Sequence, residues 1–169
     1  IFSSVLLADL RLPLLLVAAD LRPPEQAAIV EISPDGRQAT FDPERGFVPL
    51  PGGAKKFSIR PDPRGGGYWT LANYVPPEQR RGLPAKTRNT LALVHSTDLR
   101  SWQVQAILLA HTDPERHGFQ YVDWLYDGDD LIALVRTAYD DGQGGAHNQH
   151  DANYLTFHRF ANFRELRTP

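Results

Sequence analysis

Fourteen prolines and thirteen glycines break this chain into short apolar runs. Punctuation of that density leaves little room for long helices, and turn residues between alternating runs are the mark of antiparallel strands. From Ala27 onward the scheme repeats. AAIVEISPDGRQATFD is an apolar run, a Pro-Asp-Gly turn and an alternating run, which predicts a hairpin. Phe47 and Val48 predict a short further strand before the breaker at 51–53. KKFSIRPDPRGGGYWTLANY follows the same plan, with Phe57 and Ile59 facing one way and residues 68–72 running back. In NTLALVHSTDLRSWQVQAILLA, Leu91, Leu93 and His95 fall on one face and Ala92, Val94 and Ser96 on the other. Trp102, Val104, Ala106 and Leu108 are expected to alternate likewise. Residues 119–125, 131–137 and 153–160 complete the set. No stretch after Gln26 carries a helical period, and 75–86 reads as a polar loop.

The fold class that follows is all-β. The strand–turn–strand units are about as long as propeller blades, roughly 40–50 residues, but sandwiches and barrels share the pattern. At 169 residues one domain with a sizeable core is expected. A net charge of −2 gives no reason to expect nucleic acid or a membrane as partner. Without cysteine there are no disulfides and no thiolate metal sites. Residues 1–26 are the most apolar part. Asp9 and Arg11 argue against a signal peptide, and with Pro13 and Asp20 they leave no run long enough for a membrane helix. This segment is read as a buried strand or helix, the remnant of a preceding blade, ahead of blades over 27–166.

Ser96, Asp98 and Trp102 form S-x-D-x-x-x-W between two strands. Ser and Asp side chains at that spacing can bond backbone N–H groups inside a tight turn, and the Trp ring can fold back on the sheet. The motif resembles the Asp-box of sialidases, with Arg100 where that motif has glycine. It is equally similar to the S-x-D-L-x-x-W turn of five-bladed arabinanase- and fructosidase-type propellers. KFSIRPD, YWTLANY, TRNTLALVHSTDLRSW, GFQYVDWLYDGDDLIALVRTA and HDANYLTFHRFANFR resemble the C-terminal half of bacterial sialidase-like (exo-α-sialidase, BNR-repeat) proteins, over about 27–166. The resemblance implies β-propeller blades, here an incomplete ring of about three. It also implies a secreted or periplasmic glycosidase, a glycan substrate, no cofactor, and self-association through exposed blade edges.

The chemistry-bearing residues gather between Gly118 and Phe160. Arg136, at the end of an apolar run, is placed to grip a sugar carboxylate in bidentate fashion, with Arg88 and then Arg60 as further candidates. Asp123, flanked by Val122 and Trp124, is the expected proton donor if burial among aromatic groups raises its pKa. Tyr154 is the expected nucleophile, as the resemblance implies, with Asp151 as a catalytic carboxylate. His150, Gln120, Tyr121 and Asn153 are expected to contact sugar. The competing reading for each is structural: strand ion pairs, a solvent-facing aspartate, a turn held by Asp and Asn.

His147 and His150 make an H-x-x-H pair, but on a Gly-rich loop, and Asp127, Asp129 and Asp130 lack the spacing of a calcium loop. No metal site is expected. Two other functions stay open: a five-bladed glycosidase using an Asp/Glu pair on neutral sugars, and a non-catalytic carbohydrate-binding module.

Overall fold

The computed structural model describes residues 4–7 and 14–19 as backbone, and 25–80 and 83–168 in full. The chain is all-β, with three open antiparallel sheets. The first holds β1 (Ser4–Leu7), β2 (Leu14–Ala19), β3 (Gln26–Ile32) and β4 (Ala39–Thr40) in that order, with β5 (Phe47–Pro49) also paired to β3. The second is a meander of β6 (Ile59–Pro61), β7 (Tyr68–Asn73), β8 (Thr90–Ser96) and β9 (Gln103–Ala110). The third is β10 (Gly118–Asp127), β11 (Asp130–Ala138) and β12 (Tyr154–Phe160). Three single-turn 3-10 helices at Pro77–Gln79, Pro84–Lys86 and Phe163–Glu165 are the helical structure of the described residues. None is long or apolar enough to cross a membrane.

The hairpin expected from residue 27 onward forms, with Glu31 opposite Thr40. Within 1–26 the backbone supplies β1 and β2, and β2 pairs with β3 along its length, from Leu14 opposite Glu31 to Ala19 opposite Gln26. Whether the side chains of that segment are buried lies outside the described residues.

The middle sheet is apolar on both faces, and its alternation explains the packing. Trp69, Leu71, Leu91 and Leu93 meet Phe119, Trp124, Leu131, Ala133 and Val135 of the third sheet, with Phe163 beneath them. On its other face, Ala72, Ala92 and Val94 pack with Trp102 and Val104. Trp102 also reaches the cluster of Ala27, Ile29, Val48 and Leu50 from the first sheet with Phe57 and Ile59. Asn73 is the polar rivet: its buried Nδ2 donates to the carbonyls of Phe119 at 2.5 Å, Arg88 at 3.2 Å and Thr90 at 3.4 Å.

In β9 the simple alternation fails. Register irregularities opposite Leu91–Ala92 and Leu93–Val94 leave Gln105 and Leu108 without partners. Each extra residue turns the following side chains over. Trp102, Val104 and Ile107 therefore face one side, while Ala106, Leu108 and Leu109 face the other.

The S-x-D-x-x-x-W segment folds as its residue types require. Ser96 Oγ accepts the N–H groups of Asp98 at 3.2 Å and Leu99 at 2.9 Å. Asp98 Oδ1 accepts those of Arg100 at 2.8 Å and Ser101 at 2.7 Å, and Trp102 Nε1 donates to Leu99 O at 3.1 Å. Leu99, buried, sits at φ 63° to close the turn.

These bonds carry a pH dependence. The N–H groups of Ser101 and Arg100 hold the Asp98 carboxyl down at about 2, below the ordinary 3.8. Burial pushes Asp62 up, but Arg164, the Arg64 N–H and the Trp69 indole outweigh it and bring that carboxyl to about 2 as well. Both groups titrate lower in the fold than in the unfolded chain. Their stabilisation is complete above the unfolded value and lost as pH falls from about 4 towards 2. We expect each to contribute roughly 1 kcal/mol, after allowance for the solvent screening of exposed Asp98. Urea midpoints measured at pH 6, 4, 3 and 2 will decline in wild type. The Asp98→Asn variant will have a lower midpoint at pH 6 and a shallower decline; parallel curves would contradict this account.

Candidate functional site

The third sheet is built so that one residue is pushed out of line. β10 and β11 stay in register through Gln120 opposite Arg136, then resume at Asp123 opposite Leu134. One extra residue is thus accommodated between, and Tyr121 takes it up at φ 52°, in the left-handed region that side chains such as tyrosine rarely enter. Such a conformation costs of order 1 kcal/mol or more and persists where surroundings enforce it.

The surroundings are cationic. Arg136 lies 5.1 Å from the centre of the Tyr121 ring, Lys56 5.6 Å and Arg88 5.7 Å. The phenol oxygen is 3.0 Å from His150 Nε2, and the other ring nitrogen of His150 is 3.9 Å from Asp151 Oδ1. Burial lowers the pKa of Arg88, the Arg136 charge lowers it further, and the Tyr121 phenol opposes both. Three cations thus surround one phenol, and His150 stands within hydrogen-bond reach of its proton.

The loop carrying His150 is fixed from below. Gln120, fully buried, donates from Nε2 to the carbonyls of Gln149 at 3.0 Å and His150 at 2.8 Å. Gly118 lets that loop approach: a Cβ there would stand 2.3 Å from Gln149 O. Asn148 takes the N–H groups of His150 and Asp151 and donates to the Asp151 carboxylate at 2.6 Å.

Of the residues expected to form a site, Gln120, Tyr121, Arg88, Arg136, His150 and Asp151 come together here, although Gln120 holds the loop and does not point to solvent. The others go elsewhere. Tyr154 and Arg136 fall on opposite faces, because Tyr154 pairs with Thr137, the neighbour of Arg136 in a strand whose faces alternate. The Tyr154 hydroxyl is 3.4 Å from the backbone carbonyl of Asp140, and its ring lines a 410 Å³ cavity with Phe119, Thr137, Tyr139 and His158. Asn153 is spent on structure, bonding Tyr139 N and O and the Asp141 carboxylate.

Asp123 shares the outer face with Arg136, and the burial on which its role as proton donor depended is not met. Its side chain is 78% exposed and pairs with Arg60 at 3.2 Å. Arg60, the weakest arginine candidate, also lies over the Trp124 ring at 5.4 Å. The outer side of the strand faces solvent because exposed Leu125, Leu134 and Phe157 there have no covering layer among the described residues.

Lys56 is the member sequence reasoning passed over. Its signal was present: Phe57 and Ile59 point inward, so Lys56 between buried Lys55 and Phe57 must point out. Burial lowers the pKa of Lys55, the neighbouring Glu25 carboxylate opposes that, and the two pair at 2.6 Å, so this second lysine is already neutralised. Among the described residues His147 and His150 belong to no group of three ligand-type side chains close enough to share an ion. Among the described residues the one cluster with metal-ligand spacing is His111, His117 and Asp140. Comparison with known proteins adds no assignment to this geometry: no protein-family model and no curated protein matches the chain.

Proposed function

We propose that the chain is a glycoside hydrolase of sialidase-like type, acting on a terminal acidic sugar, with Tyr121 as nucleophile. The observation that carries this reading is the Tyr121 hydroxyl 3.0 Å from His150 Nε2 beneath Arg136, Arg88 and Lys56. The three sheets are read as consecutive propeller blades. Support comes from a middle sheet packed on both faces and from the Ser96–Trp102 turn at its hairpin tip.

In this reaction the guanidinium groups of Arg136 and Arg88 receive the sugar carboxylate, the shape and charge that planar guanidinium groups match. His150 Nε2 takes the phenolic proton, and Tyr121 Oη attacks the anomeric carbon as the glycosidic C–O bond breaks. The leaving oxygen, on the face of the sugar opposite Tyr121, takes a proton from solvent. Water then attacks the same carbon from that face and gives up a proton to solvent, and the phenolate leaves and takes back the proton held by His150. Two displacements retain configuration. Asp151 positions His150. Asp123, open to solvent and held by Arg60, is outside this scheme.

The test is a set of aryl glycosides. Acidic ones (sialosides and uronides) are the expected substrates, with arabinosides and fructosides inert. Arg136→Ala will raise KM for the acidic sugar by roughly 10–100-fold, the worth of a charge-assisted contact. Equal cleavage of neutral glycosides, or an unchanged KM in that variant, counts against the assignment. Saturable binding of the acidic sugar without turnover returns the binding-module reading.

A further inference from the structure

At the end of the sheets where the chain crosses from β9 to β10, three side chains meet that the hydrolase scheme does not use. His111 follows β9, His117 precedes β10 and Asp140 follows β11. One ligand atom from each lies within 4.8 Å of the others. The two imidazoles are stacked with centroids 3.4 Å apart, and the Tyr139 ring stands edge-on to both.

His117 is the informative member, because it is 4% exposed. Its Nδ1 is 3.2 Å from Asp113 Oδ2. A carboxylate oxygen only accepts, so Nδ1 carries a proton, and Nε2 is the ring nitrogen left to present a lone pair to a metal. That Nε2 is buried without a hydrogen-bond partner, yet faces Asp140 Oδ2 at 3.5 Å. Two acceptors turned towards each other call for a cation between them. A carboxylate behind the far nitrogen of the histidine is the arrangement that orients metal-binding imidazoles.

We propose that His111, His117 and Asp140 bind one divalent transition-metal ion, zinc by the chemistry of two imidazoles and a carboxylate. Asp113 is the positioning residue for His117. His111 is held in place by its backbone, through its N–H to Asn89 O at 2.9 Å and its carbonyl to Asn89 Nδ2 at 2.6 Å. Its Nδ1 accepts the Asp113 N–H at 3.1 Å, a hydrogen bond that ligation exchanges for a coordinate bond. Donors around tetrahedral zinc stand about 3.3 Å apart at bond lengths near 2.0–2.1 Å. Binding therefore draws the three inward: Asp140, 71% exposed beside a Gly-rich loop, moves in, and the His111 ring, now stacked 18° from the plane of His117, tilts so that its in-plane lone pair meets the ion. The nearby Arg116 is tied to the carbonyls of Gly144 and Ala146 and leaves the ligand atoms clear. The ion would clamp the β9–β10 crossover to the end of β11, joining the second sheet to the third.

The experiment is calorimetric titration of the EDTA-treated full chain with zinc chloride, beside the melting temperature with and without the ion. Saturable binding of one ion and a higher melting temperature are expected. Asp140→Asn, a substitution at an exposed position, will weaken binding by at least about tenfold without loss of the far-ultraviolet spectrum, and Asp113→Asn by about 10–100-fold. His150→Gln will bind as the parent does. No saturable binding, or an Asp140→Asn variant with parental affinity, overturns the proposal. So does a His117 ring that NMR shows doubly protonated and indifferent to zinc, which would make the cation a proton.

Discussion

Tyr121→Phe will reduce turnover of the acidic glycoside roughly 10³-fold or more, the scale on which loss of a nucleophile is felt, while the fold persists. The substitution removes one oxygen and keeps the ring, so the 5.1–5.7 Å contacts to Arg136, Lys56 and Arg88 stay available. Binding of the sugar should survive because the arginines remain, and the loss should appear in kcat. His150→Ala will lower kcat by about 10²–10⁴-fold, the usual contribution of a general base. Tyr154→Phe will leave turnover near the parental value, since that hydroxyl meets a backbone carbonyl on the opposite face. Mass spectrometry of enzyme trapped with a fluorinated acidic glycoside should place the adduct on the Tyr121 peptide. An adduct on the Tyr154 peptide, or full activity in Tyr121→Phe, would refute this assignment of the nucleophile.

Trp124→Ala will cost about 3–5 kcal/mol, the scale for truncating a large buried aromatic side chain. Trp124 is 1% exposed and belongs to the cluster that joins the second and third sheets. Its Nε1 donates to Ser58 O at 3.2 Å, and its ring meets the Tyr126 ring edge-on at 5.2 Å. Removing it leaves a cavity between two layers whose backbones are pinned elsewhere by Asn73, so the gap cannot close by simple collapse. Against a total stability of about 5–15 kcal/mol for an ordinary domain, that loss brings the chain close to unfolding at room temperature. Leu134→Ala, on the exposed outer face of β11, will cost less than about 1 kcal/mol by the same measurement. Urea unfolding followed by tyrosine fluorescence and circular dichroism decides it. Equal midpoints for the two variants would show that the sheets do not rely on this contact.

The separate fates of Arg136 and Tyr154 show what a linear reading of the site misses. Both belong to one chemistry-bearing stretch of the sequence, yet strand alternation sends them to opposite faces. Tyr121 was expected only to contact sugar, because nothing in the letters around it marks the irregularity that turns it into the centre of the cationic group. Between Val122 and Trp124, Asp123 could be read as buried or as solvent-facing; its two neighbours pack on the core side of the strand, and Asp123 falls on the other. The pairing with Arg60 that accounts for it spans 63 residues.

Local chemistry was legible from the letters. Period-2 apolar runs, the Pro-Asp-Gly hairpin and the Ser96–Trp102 turn follow from interactions between residues a few positions apart, and such interactions do not depend on where the rest of the chain goes. Which faces meet, where an extra strand residue inverts the pattern, and which distant charges converge were decided by packing. The hydrophobic drive to bury area is non-directional, so many pairings of these strands satisfy the same apolar pattern. The arrangement of Tyr121, and that of His111 with His117 and Asp140, exists only once one pairing has been selected.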